Sequence, residues 1–334
     1  MNSRTLRTLI FGALDMIGFS HFGGQVGPRI LLYHGATSEK SDGIFNYRDK
    51  FVRTDAFDQQ IAWMKQRFEI LPLKEFISSF KAGLISERAL AITFDDGYRN
   101  NYTDAYPVLK KHGVPATFFI TTGFVEGQPL SVDRIEFAIG TTDEKTISLD
   151  PMGLLDLQTR HLRIAADMKM RSHMKKLEGK DTERFLQEIE TTTKRSLKTH
   201  FADSPYSAMT WEQMLEMEAG GMTFAPHTKT HPILSRLSVL EAVEEIRASK
   251  DTLEQHALHP LRIFAYPNGG KDDFTAKTIE LVESEGFGSA LTTAARTVAK
   301  NDNPFTLPRY TMDGASDIHR ARLMTSGAYY RLIS

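Results

Sequence analysis

The chain predicts an α/β fold built on a parallel sheet, and three observations carry that expectation. Short apolar runs alternate with longer segments of helical periodicity, which is the βαβ rhythm. Runs such as Ala89–Phe94 are apolar almost throughout instead of alternating, as in a strand covered on both faces. Those runs end in loops rich in Asp, His, Pro, Asn and Gly, the end of an α/β sheet where ligand sites collect. Closing such a sheet on itself gives a barrel. With 334 residues and 41% hydrophobic content the chain can bury the core of one barrel-sized domain.

Taken in order, the chain first presents Arg4 and Arg7 ahead of an apolar stretch at Leu9–Phe19, interrupted by Asp15. This is too short to span a bilayer comfortably, which takes about 20 apolar residues, and no small-x-small cleavage site follows it clearly. Residues 1–28 are therefore expected to form a helical extension that packs on the barrel or rests against a membrane surface. The expected compartment is the cytoplasm, with membrane association or export as alternatives. Strands are expected at Ile30–His34, Ala89–Phe94, Ala116–Thr121, Met222–Ala225, Arg262–Tyr266 and Gly288–Thr292. Helices are expected at Asp55–Phe68, Thr103–His112, Trp211–Ala219, Val239–His256 and Phe274–Glu285, with a last one inside residues 311–334. Residues 123–207 break the rhythm. Helical patterns after Asp133–Ile139, at Leu154–Leu177 and at Thr182–Leu197, predict a helical insertion beside the barrel or over its mouth. Its basic residues, Arg163, Lys169, Arg171, Lys175 and Lys176, suit an anionic sugar ligand or a solvated helix face.

Composition narrows the function. A formal charge of −1 gives no basic field for nucleic acid. The absence of cysteine excludes disulfides, thiolate ligands and a cysteine nucleophile, so any metal must be held by nitrogen and oxygen. Two segments offer such ligands. His227 and His231 are spaced so that one turn can present both rings to a common point. Pro232 disfavours helix at the residue before it, so the pair is expected in a turn at a strand end. Asp95 and Asp96 end the run Ala89–Phe94, and adjacent residues leave an extended backbone in different directions, so the two carboxylates need not share a task. One can bind a cation while the other faces a substrate. A third segment, Leu261–Gly270, offers Arg262 to pair with an aspartate and a Pro-Asn-Gly-Gly turn to aim a backbone N–H at an oxyanion.

T-F-D-D-G-Y at 93–98, H-T-K-T-H-P at 227–232 and R-I-F-A-Y-P-N-G at 262–269, in this order, resemble the first three motifs of the polysaccharide deacetylase family, the NodB-homology domain of carbohydrate esterase family 4. I-L-L-Y-H-G at 30–35 and P-A-T-F-F-I-T-T at 115–122 resemble the flanking strands, so the likeness covers roughly residues 29–310. It implies a distorted, incomplete (β/α) barrel with the helical insertion. It also implies Asp96, His227 and His231 as ligands of one divalent metal ion, zinc first and cobalt, nickel, iron or manganese as alternatives. Asp95 would be the general base, Arg262 the tether of a catalytic aspartate, and the backbone N–H of Asn268 an oxyanion donor. Many relatives carry an aromatic residue where Asn268 stands, a departure that touches substrate contacts more than a backbone donor. The family's bracing aspartate and its acid histidine are not legible, and His319 among arginines suits a surface helix better. Tyr98, His34, Tyr266 and Arg309 are the further candidates for substrate contact.

The implied reaction is hydrolysis of an N-acetyl group on an amino sugar of a glycan, by water activated at the cation with Asp95 as base. O-acetyl ester cleavage or deformylation of a sugar would use the same machinery, and an inactive glycan-binding barrel is the alternative of another class. An N-acetylated glycan is the expected partner, with no nucleic acid, peripheral membrane contact through the N-terminal helix as an option, and the oligomeric state left open.

Overall fold

The computed structural model describes residues 11–13, 27–39, 43–202, 204–256 and 258–329. The parallel sheet is present. Five strands run in the order β12 (Tyr310–Thr311), β1 (Arg29–Tyr33), β5 (Ala89–Asp96), β6 (Thr117–Ile120) and β9 (Thr223–Pro226), and β4 (Glu69–Ile70) pairs with the start of β5. β10 (Ile263–Ala265) and β11 (Ser289–Leu291) form a separate parallel pair. Backbone bonds continue the ring beyond the named strands. Leu261 N–H donates to Phe224 O at 2.8 Å, linking the approach to β10 with β9, and Thr292 N–H donates to Leu307 O at 2.8 Å, linking β11 with the segment that enters β12. The arrangement is consistent with the distorted, incomplete barrel expected, with its thin seam between β9 and β10. Two small pairs lie outside it, β2 (Gly35–Thr37) with β3 (Phe51–Arg53) and an antiparallel hairpin, β7 (Thr146–Leu149) with β8 (Gly153–Asp156).

Strand alternation sorts the side chains. Ile30 of β1, Ala89 and Ala91 of β5, Phe119 of β6, Ala225 of β9, Ile263 and Ala265 of β10, and Leu291 of β11 share one buried cluster. The helix Leu73–Lys81 joins the same cluster through Leu73, Phe76, Ile77 and Phe80. The opposite faces, with Leu31, Tyr33, Leu90, Ile92, Phe94, Phe118 and Phe224, pack under the helices Thr54–Arg67 and Tyr106–His112. Small alanines on the first face leave room for larger groups at the carboxyl ends of the strands, and the site is built there.

The other expected helices are found at Trp211–Ala219, Val239–Gln255 and Ala276–Ser284, each starting with a capping box, at Thr210, Ser238 and Thr275. Trp211 opens its helix stacked on His256 at 3.8 Å. The insertion holds helices at Ser131–Thr141, Arg160–Met174 and Gly179–Thr193. Its first part departs from expectation: residues 154–156 belong to the β7–β8 hairpin, where Ile147, Leu149 and Leu155 alternate inward about a turn with Gly153 at φ 71°. Three of the insertion's basic residues serve its own structure, while Lys175 lines the cavity beside the site. Arg163 caps the end of helix Ser131–Thr141 by donating to Ile139 O and Thr142 O, Lys169 donates to Met152 O, and Arg171 is buried between Asp167 and Glu136. Only residues 11–13 and 27–28 of the expected N-terminal extension are among the described residues. No described helix is long and apolar enough to cross a membrane. In the last segment a helix spans Ile318–Thr325.

Candidate active site

β5 ends in two acids whose directions differ, as alternation demands. Asp95 continues the inward row of Ala89, Ala91 and Thr93, whereas Asp96 turns out of the strand into the left-handed region at φ 76°. β9 runs on into His227, whose N–H donates to Ile120 O at 2.9 Å. The turn that follows places Thr228 at φ 66° and His231 at φ 61°, so the imidazole pair is carried by a turn and not by a helix. The three groups converge. Asp96 Oδ1 lies 3.4 Å from His231 Nε2 and 3.7 Å from His227 Nε2, and ligand atoms of all three fall within 4.8 Å of one another.

Several features fit this cluster to a cation. Asp96 Oδ1 is buried and has no hydrogen-bond partner among the described residues, a condition that is costly for a carboxylate unless a positive charge faces it. His227 gives its Nδ1 to Ala265 O at 2.7 Å, which places the proton on that nitrogen and turns the Nε2 lone pair to the cluster. Burial holds His227 down at about 4, with His231 adding to the effect, and burial likewise holds His231 at about 4, so both rings are neutral at pH 7. Burial raises the Asp96 carboxyl. A two-nitrogen, one-oxygen set of this kind suits a first-row divalent metal.

Asp95 is held by Arg309. The guanidinium is fully buried and grips the carboxylate with both arms, Nη1 to Oδ1 at 2.7 Å and Nη2 to Oδ2 at 2.8 Å. Its Nε donates to Thr292 O at 3.1 Å and Nη1 also reaches Thr93 Oγ1 at 3.3 Å. Burial works to raise the Asp95 carboxyl, but Arg309, then His227 and His34, outweigh it and hold it below the usual carboxylate range. Asp95 Oδ2 is 3.7 Å from His227 Nε2, so the free carboxylate borders the cation seat.

Arg262, expected to be this tether, is elsewhere. It lies half-exposed on the outside and pairs with Glu254 at 2.6 Å. The reason is strand parity: Ile263 and Ala265 face inward, so Arg262, Phe264 and Tyr266 face outward. Tyr266 is accordingly a core residue, stacked on Phe274 with its hydroxyl on Phe305 O at 3.1 Å, and does not border the site. Arg309, taken from sequence as a substrate contact, is the tether instead. Tyr98 is also fully buried, donating to Asp133 at 2.6 Å and accepting from Lys50 at 2.7 Å, so it joins the aspartate loop to the insertion and offers no surface to a substrate.

His34 shares the parity of Ile30 and therefore stands at the inward side of β1's end. Its Nδ1 is 3.0 Å from Asp313 Oδ1, a residue that sequence reasoning missed and that β12 delivers beside β1 through the bond from Met312 N–H to Leu32 O. Burial lowers His34, but Asp313, then Asp96 and Asp95, raise it further, to about 9. Asn268 sits at φ 60° in the turn after β10, and no acceptor among the described residues takes its N–H. Asn268, His231 and Thr121 line one end of a cavity of about 950 Å³ that extends between the insertion, at Leu177 and Leu186, and the helix Val239–Gln255.

The family profile described as Polysaccharide deacetylase matches residues 84–198 and 193–287, more than half of the chain. The chain belongs to the polysaccharide deacetylase family. It is similar to the poly-β-1,6-N-acetyl-D-glucosamine N-deacetylase of Staphylococcus aureus strain MSSA476, 44% identical over 75 residues, 22% of this chain and 26% of that protein. The chain thus spans about a quarter of the length of that curated relative. Among solved structures, deacetylase PplD of Streptococcus pyogenes, in complex with acetate, aligns with a TM-score of 0.58 at 19% identity over 90% of this chain and 99% of that one. IcaB of Ammonifex degensii aligns with a TM-score of 0.55 at 20% identity over 90% of this chain and 98% of that one. At such identities these likenesses speak to the fold.

Proposed function

We propose that this chain hydrolyses the acetamido group of an N-acetylated amino sugar in a glycan, using one divalent cation held by Asp96, His227 and His231. The observation that carries the reading is a buried Asp96 oxygen, without a hydrogen-bond partner among the described residues, facing two neutral imidazoles beside a second carboxylate that is kept ionised by Arg309. Zinc is the preferred ion for this ligand set. When bound, it polarises the amide carbonyl and acidifies a water molecule.

The chain's own residues supply the rest. Asp95, aimed and charged by Arg309, takes the proton of the attacking water as its oxygen bonds to the acyl carbon. The Asn268 N–H, unclaimed by other acceptors among the described residues, stabilises the oxyanion that forms, a contribution of about 3–4 kcal/mol where such donors have been removed elsewhere. His34, held protonated by Asp313, gives its proton to the nitrogen as the C–N bond breaks, so acetate and a free amine leave. The adjoining cavity seats the sugar residues.

The test is acetate release from β-1,6-linked N-acetylglucosamine oligomers, the polymer named for the staphylococcal relative, by the full chain with and without chelator. Chelator-sensitive release that is lost in His231→Ala and Asp95→Asn is the expected result. Release of acetate from O-acetylated sugars alone, or of formate from formamido sugars, assigns one of the sibling reactions. Oligomer binding with no hydrolysis under any metal overturns the proposal.

A further inference from the structure

The turn that carries His231 is held from two sides. On the inner side, Thr122 N–H and Gly123 N–H donate to Thr228 O and Lys229 O at 3.3 and 2.8 Å. On the outer side stands Glu245, half-buried in the middle of helix Val239–Gln255. Its Oε2 accepts from Lys229 N–H at 2.9 Å and from Thr230 N–H at 2.8 Å, and its Oε1 accepts from Thr230 Oγ1 at 2.6 Å. The Glu245 carbonyl takes Lys229 N–H as well, at 3.2 Å. Bonds to an ionised acceptor are roughly twice as strong as neutral ones, and these come from a helix fixed in the core by Ala242, Ile246 and Leu253.

The turn needs such a grip. Thr228 and His231 both lie in the left-handed region, which costs a residue with a Cβ about 1–2 kcal/mol and persists only where the surroundings enforce it. The two imidazoles also differ. His227 has its ring fixed by Ala265 O, whereas no hydrogen bond among the described residues reaches His231 Nδ1. The direction of the His231 ring is therefore set by the backbone beneath it.

We propose that Glu245 is a positioning residue for metal capture: by holding Lys229 and Thr230, it does for His231 what the Ala265 carbonyl does for His227. The inference rests on the metal-dependent reading above and goes beyond it by assigning a residue outside the motifs. Glu245 touches no reacting atom, so its effect falls on metal affinity and not on the chemical step.

The test compares the full chain with Glu245→Ala and Glu245→Gln, measuring zinc affinity by competition with a chromophoric chelator and melting in the metal-free state. Glu245→Ala is expected to weaken zinc binding about 10–100-fold, the range for removed outer-shell partners of metal ligands. Glu245→Gln, which keeps an acceptor oxygen, is expected to lose several-fold. Unchanged zinc affinity in the folded variants overturns the clamp while leaving the deacetylase reading in place, even if metal-free melting falls. If Glu245→Ala does not fold, Glu245→Gln decides by the same two outcomes. An unsubstituted chain that takes up no zinc overturns both readings.

Discussion

Arg309 has no exposed surface, and among the described residues Asp95 is its only carboxylate partner. Cutting such a pair from one side leaves a buried charge uncompensated, which costs about 3–5 kcal/mol. Arg309→Ala is therefore expected to lose that much in chemical denaturation, together with turnover. Arg262→Ala, which removes a half-exposed pair with Glu254, is expected to change stability by no more than about 1 kcal/mol. The contrast separates the two arginines directly. At His34 the sign is equally definite. Its folded value, about 9, exceeds that of a free imidazole, so the protonated ring stabilises the fold fully below about pH 6.5 and this contribution fades as pH rises through about 9. In its proposed role as acid it is expected to impose an alkaline limb on kcat/KM. Asp313→Asn removes the charge that raises it most, so the limb is expected to move to lower pH, and His34→Asn to abolish it. A limb unmoved in Asp313→Asn would show that another group titrates.

At the level of turns and strands, the turn from His227 to His231 packs against Gly123 so closely that a Cβ there would sit 2.7 Å from Lys229 O. Gly123→Ala is expected to push that backbone away and weaken metal binding at least several-fold with little change in the far-ultraviolet circular dichroism, read by the same chelator competition. The turn itself was legible in the sequence, since Pro232 directly after His-x-x-x-His disfavours a continuous helix. So were the strands that deliver it, because buried parallel strands announce themselves as apolar runs. What motif spacing did not disclose was which face a residue takes. Counting parity inward from Ala265 assigns Arg262 and Tyr266 to the outer face, and counting from Leu307 assigns Arg309 to the inner one. The partnership of His34 with Asp313 joins residues 279 apart and exists only because β12 lies beside β1. Local sequence carries no trace of it. The helix Leu73–Lys81, with Leu73, Phe76, Ile77 and Phe80 at helical spacing, was readable and passed over.

Across the whole molecule, the insertion is tied into the barrel by buried charge. The tie is Asp133, which holds Lys50 and the Tyr98 hydroxyl just beyond the aspartate loop, while Arg171 braces the insertion internally between Asp167 and Glu136. A wall of the cavity and the site loop are thereby parts of one rigid network. The cation adds a further tie, since a ligand bound only by the folded state stabilises it by about 2.7 kcal/mol at a hundredfold excess over Kd. Zinc is expected to raise the melting temperature of the full chain by several degrees, chelator to reverse the change, and His231→Ala to abolish it. The join between β9 and β10 gives this a particular form. Between β9 and β10, where no ladder runs, His227 reaches across to the Ala265 carbonyl. In the proposed metal site one imidazole is therefore both rivet and ligand: the tautomer that fastens the wall is the tautomer that can accept the ion, and an acid strong enough to evict the ion leaves the ring with no lone pair to offer while its grip on the wall survives.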